Sequence, residues 1–260
     1  MTVKAQYVEV LSDKVTMNVQ SWHVTGNKNT SFSSKMDAFT AMWNTADVVI
    51  YSGTYGVDLP AGLNGWAQQT ADNTARHGAV GYGQAIAWRT DKYTFDANAG
   101  VYHVNSSTKW MTDAAFFAVP LVDNATGKQV VILSVFFGDG AKLNESNRLV
   151  NSFSLVLKEL NAKYADASAI IVNMQTQSGV SGVNNQGMAN TFSGLDSSAW
   201  VSGYDFAVSH QYDITNTAYS RYVGTYLNGN QSVTISGTAE IPTTGDYATQ
   251  NGNSYTLTIK

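Results

Sequence analysis

The sequence predicts an α/β protein in which two packed, mixed β-sheets are flanked by helices, a four-layer α-β-β-α sandwich. Three observations lead there. Short β-favouring runs recur along the whole chain, and two of them, 47–51 (DVVIY) and 169–174, are apolar enough for burial on both faces. Helical stripes follow strands at intervals, as layered α/β architecture requires. No linker, tandem repeat or shift of composition divides the 260 residues, so residues 1–260 read as one domain with a full core.

The elements follow in order. Residues 15–22 (VTMNVQSW) form the opening strand, before a turn at Gly26-Asn27. Residues 34–44 form a helix with Met36, Phe39, Met42 and Trp43 on one face and Ser33 or Ser34 as N-cap. The buried strand 47–51 comes next, then a Gly-rich connection through Pro60 and Trp66 that reads as helical over 61–71. Residues 83–89 (GQAIAWR) are a strand, followed by short strands near 93–95 and 100–104. Residues 114–122 and 129–137 flank Asp123-Asn124-Ala125-Thr126-Gly127-Lys128, the pattern of a β-hairpin with a Gly-containing turn. The strongest helix spans 144–164, with Leu149, Val150, Phe153, Val156, Leu157 and Leu160 at i, i+3, i+4, i+7 spacing. Strands at 169–174, 204–209, 232–236 and 255–259 complete the set.

Charged residues are 13% of the chain, about half the usual share of roughly 25%. Asn, Ser, Thr, Gln and Gly must supply the polar surface. The net charge of −4 and the absence of a Lys/Arg cluster give no strong nucleic-acid signal. With no cysteine there is no disulfide, thiolate metal site or cysteine nucleophile. No apolar run approaches the roughly 20 residues of a membrane helix, and residues 1–11 lack a charged-then-apolar leader. The Gly-rich stretch 78–83 lacks the Lys-Ser/Thr ending of a phosphate loop, and no Gly-x-Ser-x-Gly elbow occurs.

An ordered series of motifs then resembles one superfamily. Asn18 lies in Thr16-Met17-Asn18-Val19, Asp47-Val48-Val49 follows the first helix, and residues 84–93 read QAIAWRTDKY. A strand at 130–136 precedes Arg148 at the head of the long helix, Ile170-Ile171-Val172 precedes Asn173, and residues 204–209 read YDFAVS. The series is similar to that of the endonuclease/exonuclease/phosphatase proteins, the DNase I-like superfamily, and covers about residues 15–260. The resemblance implies the DNase I-like sandwich. It also implies a Mg²⁺-assisted attack on a phosphoryl group, with carboxylate ligands for the hard cation and a His–Asp arrangement for the water.

The same resemblance implies that the catalytic set is degenerate. The family glutamate falls at Gly53, its strand-ending histidine near Phe136, the aspartate and asparagine of its Gly-Asp-aromatic-Asn turn at Met174 and Thr176, and its closing histidine at Tyr247. Asn18, Asp205 and Asp246 keep family-like identities as remnants. The expectation is therefore a non-catalytic module with no cofactor and no metal. Its partner would be a protein or glycan surface met through Tyr55, Trp66, Tyr82 and Trp110 at the pocket rim. The composition suits a virion surface, as in a bacteriophage decoration protein, or an extracellular surface. An active Mg²⁺-dependent phosphodiesterase with a migrated site is the alternative, drawing on Asp246 with Asp205, Asp139 or Glu145. A carbohydrate or host-receptor binder is another. His23 reads as a displaced acid/base group or a loop imidazole; His77, His103 and His210 read as structural or surface residues, although Asp213 near His210 could make a metal pair, and Asp58 is a further spare carboxylate.

Overall fold

The computed structural model of the chain describes residues 13–24, 35–54, 59–71, 83–105, 114–137, 146–177, 200–210, 218–227, 232–242 and 252–260. These fold into two mixed β-sheets packed face to face. The first has strand order β12 (Val233–Ile241), β13 (Gly252–Ile259), β1 (Val15–His23), β2 (Val48–Thr54), β4 (Gly83–Arg89), β3 (Trp66–Ala71), and the second β10 (Trp200–His210), β11 (Ala218–Leu227), β9 (Ala169–Gln177), β8 (Gln129–Phe137), β7 (Ala114–Asp123), β5 (Tyr93–Phe95), with β6 (Tyr102–Asn105) paired to β7.

The first sheet is built from β1 (Val15–His23), β2 (Val48–Thr54), β3 (Trp66–Ala71), β4 (Gly83–Arg89), β12 (Val233–Ile241) and β13 (Gly252–Ile259). β1 lies at its heart, parallel to β2 and antiparallel to β13, with Val15 opposite Ile259. The second sheet holds β5 (Tyr93–Phe95), β6 (Tyr102–Asn105), β7 (Ala114–Asp123), β8 (Gln129–Phe137), β9 (Ala169–Gln177), β10 (Trp200–His210) and β11 (Ala218–Leu227). β8 and β9 are parallel, so the chain between them must cross over. That crossover is α2 (Ser146–Lys163), which buries Val156, Leu157 and Leu160. Because the inner face of the sheet is filled by the other sheet, the crossover helix takes the outer face. Tyr102 donates to Glu159 at 2.7 Å and Tyr164 to the Gly100 carbonyl at 2.8 Å, tying the helix to the β5–β6 side.

Alternation along the strands divides the core in two. Val15, Met17, Val19, Val48, Ile50, Ile86 and Trp88 of the first sheet meet Phe117, Val119, Leu121, Val130, Ile132 and Ile171 of the second between the sheets. The other face of the first sheet is covered by α1 (Met36–Thr40) and the 3₁₀ turn that continues it over Ala41–Trp43. There Trp22, Met36, Phe39, Trp43, Val49 and Tyr51 form an aromatic cluster. Phe39 sits edge-on to Trp22, Trp43 and Tyr51, with centroids 5.6, 5.2 and 5.4 Å away. Gln20 links the layers: its Nε2 donates to the Met42 carbonyl at 3.0 Å and its Oε1 accepts from the Trp22 indole at 3.2 Å.

The structure departs from the sequence reading at three places. Residues 66–71 are not helical: β3 pairs with β4 in regular register from Trp66↔Arg89 to Ala71↔Gln84, and sheet pairing overrides a weak helical pattern. Residues 218–227, not read as an element above, form a strand that pairs with both β10 and β9. The family resemblance implies a hairpin at residues 84–93, and there is none. β4 and β5 belong to different sheets, and Arg89-Thr90-Asp91-Lys92 carries the chain from one to the other. The Lys92 amide donates to the Arg89 carbonyl at 3.2 Å, and Arg89 pairs with Asp91 at 3.0 Å. The 123–128 hairpin stands as read, with Gly127 at φ 71° and Asp123 accepting from the Thr126 amide at 2.9 Å.

Candidate functional site

The strands give the sandwich two ends. β1 and β2 run toward what we call the upper end, as do β8 and β9, while β4 and β7 begin there. On the inner face, the apolar core gives way at this end to polar side chains. Ser21, Ser52, Gln84, Ser134, Asn173 and Asn253 are all buried, and each lies two residues beyond an inward-facing residue of its strand: Val19, Ile50, Ile86, Ile132, Ile171 and Tyr255 respectively. A period of two therefore carries each strand from core to polar layer without changing face.

The layer is bonded across the gap between the sheets. Ser21 Oγ donates to Asn173 Oδ1 at 3.0 Å, and Asn173 Nδ2 donates to the Tyr255 hydroxyl at 3.1 Å. Asn173 thus joins β9 to both β1 and β13. Gln84 Nε2 donates to the Ser134 carbonyl at 3.0 Å and to its Oγ at 2.9 Å, joining β4 to β8. Burying Ser21, Gln84, Ser134, Asn173 and Tyr255 is tolerated because of these bonds; a buried polar group left unpaired would cost about 1–3 kcal/mol.

Every side chain in this network is neutral. Burial pushes the Tyr255 phenol well above its ordinary value, the Asn173 hydrogen bond opposing this only in part. Amides, hydroxyls and this phenol exchange no proton near neutral pH, so the layer offers no charged group to a ligand. Mg²⁺ seeks carboxylate oxygens in near-octahedral array; these residues do not fit it. Among the described residues, no three His, Asp or Glu are grouped to hold a metal. Tyr93, Tyr102 and Tyr164 are also shifted up, chiefly by burial. The sign of the pH dependence follows. A phenol whose folded pKa is raised stabilises the fold fully below its unfolded value of about 10, and that stability is lost as pH climbs through the folded value. Phenolate absorbance followed against pH should lag behind that of the denatured chain, and unfolding should accompany the late tyrosines above about pH 10. Late tyrosines ionising at the ordinary value without unfolding would contradict this burial.

The sequence-predicted residues fall in different places. Asn18 is mid-strand, five residues before the end of β1. It serves the fold: its amide and Nδ2 donate to Asp47 Oδ2 at 2.9 and 3.0 Å, and its Oδ1 accepts from Thr256 at 2.9 Å. Lys92 completes this lower network with a 2.6 Å bond to Asp47, whose side chain is 6% exposed. Residues 173–176 are not a turn; β9 continues to Gln177, with Met174 opposite Val135 and Tyr222, and Thr176 opposite Ser220. Phe136 pairs with Gln175. Gly53 lies at the irregularity between Ser52 and Thr54 where β2 meets β4, and Asp205 faces Val223 beside the bulge of β10. Trp66 is not at the rim: it opens β3 opposite Arg89 at the lower end, its ring 5.0 Å from Trp43. Asp246, Tyr247, Tyr55, Tyr82, Trp110, Asp58, Asp139, Glu145, Asp213, His77 and the Gly26-Asn27 turn lie outside the described residues. Sequence reading missed Ser21, Gln84, Ser134, Asn173 and Tyr255 as a group.

No family model matches the chain, and no curated protein matches it by sequence. Solved structures do match. An endonuclease/exonuclease/phosphatase from Bacteroides vulgatus superposes with a TM-score of 0.65 at 12% identity, covering 94% of this chain and 98% of its own. Humanized TDP2 of D. rerio superposes at 0.61 with 16% identity, covering 95% and 99%. The human nocturnin catalytic domain superposes at 0.58 with 10% identity, covering 95% and 97%. Spread over nearly the full length of each, the likeness gives this chain the DNase I-like fold of the endonuclease/exonuclease/phosphatase proteins.

Proposed function

We propose that the chain is a non-catalytic DNase I-like module that binds or builds, with a protein or glycan surface as its partner, presented on a particle such as a virion or at an extracellular surface. The observation that carries this reading is the neutral, mutually bonded layer of Ser21, Gln84, Ser134, Asn173 and Tyr255 at the upper end of the inter-sheet space. Phosphoryl transfer demands charge stabilisation, and these groups spend their donors and acceptors holding the sheets together. Low charge and an Asn/Ser/Thr/Gly-rich composition support a surface component rather than a nucleic-acid enzyme. The aromatic residues left for a partner are Tyr55, next in sequence to the upper end of β2; Tyr82, next to that of β4; and Trp110, between β6 and β7.

The test is direct. Purified protein with Mg²⁺ or Mn²⁺ should leave single- and double-stranded DNA, RNA and bis-p-nitrophenyl phosphate unhydrolysed at the level of the buffer control. Metal-dependent turnover that Asp246→Ala abolishes would overturn the proposal and return the chain to the phosphodiesterases.

A further inference from the structure

A strand that ends a sheet presents a row of backbone donors and acceptors, and proteins blunt such edges with bulges, charges, prolines or short length. Among the described residues, most sheet-ending strands here carry one of these devices. β12 breaks register between Ser236 and Ala239, with Gly237 at φ 66° and an exposed Glu240 nearby. β10 breaks register between Val201 and Asp205. β5 has three residues and β6 four, too short to template a partner. β3 is different. Its six residues, Trp66-Ala67-Gln68-Gln69-Thr70-Ala71, contain no charge, proline or glycine, and its register against β4 is unbroken from end to end.

We infer that β3 is an assembly edge, and that its occupant is β3 of a second copy of this chain, laid antiparallel about a two-fold axis. Three features select that occupant. Residues opposite one another in an antiparallel pair share a face, so a two-fold centred on Gln69 sets Ala67 against Ala71 and Gln68 against Thr70. Small side chains meet small, with no like charges opposed, and Gln68 keeps the Tyr51 hydroxyl as its partner within each copy. Second, Ala67, Thr70 and Ala71 offer no deep pocket for alternate side chains of a foreign peptide, which is where strand-addition sites find their selectivity. Third, the chain is short of charge throughout, so two copies approach with little repulsion. The pairing would join two six-stranded sheets into one continuous sheet. It stands apart from the functional reading above, since β3 pairs at the edge of the sandwich and not within the polar layer.

Sedimentation of the full chain over a wide concentration range tests it. The wild type should run as a dimer that dissociates on dilution. Thr70→Lys, placed on an exposed position where lysine blocks edge pairing, should run as a monomer with the wild-type circular dichroism spectrum and melting profile of the diluted protein. Gln69→Cys gives the chain a single thiol; a nitroxide attached there should show strong dipolar broadening between copies, lost on adding Thr70→Lys. A wild type that stays monomeric up to high concentration, a Thr70→Lys variant that remains a dimer, or labels at position 69 that never approach one another would each overturn the inference.

Discussion

Replacing Asn173 by alanine should cost the protein about 3 kcal/mol of unfolding free energy, from two unmade hydrogen bonds and a small void. Asn173 is 3% exposed and its side chain bridges β9 to both β1 and β13. Its loss strands the Ser21 hydroxyl and removes a donor from Tyr255 where water does not reach. Ser21→Ala is the control: it removes one partner, leaves the Asn173–Tyr255 bond intact, and should cost about 1 kcal/mol. Urea titration at constant slope reads both values. A midpoint for Asn173→Ala indistinguishable from wild type would mean that the polar layer does not fasten the sheets.

Gly252→Ala should be as damaging, though it adds a single methyl group. A glycine in a strand, outside the left-handed region, ordinarily gains about 0.4–1 kcal/mol on becoming alanine, because the unfolded chain loses freedom. Here the new Cβ would lie 2.6 Å from two atoms of the Trp22 ring and 2.7 Å from a third. Trp22 cannot retreat: it is fully buried, its indole is held by Gln20, and Phe39 stands against its ring. Overpacking at such a site costs about 3 kcal/mol. The remedy identifies the cause. In a Trp22→Phe background, whose smaller ring leaves room, the added cost of Gly252→Ala should fall below about 1 kcal/mol, a coupling that a double-mutant cycle measures. Equal penalties in both backgrounds would place the strain elsewhere in β13.

Much of the sandwich was legible in the sequence because local pattern and tertiary burial agree. The stripe of Val156, Leu157 and Leu160 needs a helix, and the run at 47–51 needs a strand covered on both sides. β3 and β11 were harder. Gln68-Gln69-Thr70 has no apolar periodicity to read, and Tyr219 to Tyr226 mixes aromatics with Arg221 and Gly224, so both strands owe their form to neighbours distant in sequence. The polar layer was hard to read for a related reason. Matching residue types put weight on Asn18, Met174 and Thr176, whereas the geometry depends on which parity of each strand faces inward. The signal was present as Val19-x-Ser21, Ile132-x-Ser134 and Ile171-x-Asn173. It becomes readable only when the inward parity of all six strands is known together, and that is fixed by sheet packing rather than by any one segment.

The place of β1, between β2 and β13, bears on how the molecule is made. Its partner on one side lies about thirty residues away in sequence, and on the other side Val15 waits for Ile259. During synthesis the central strand of the first sheet stays half-templated until residues 252–259 have left the ribosome. Contacts this remote slow the search for the native topology, and an apolar strand left waiting is a liability in a crowded cell. The heaviest demand for chaperoning therefore falls before β13 emerges, since β13 supplies the second partner of β1.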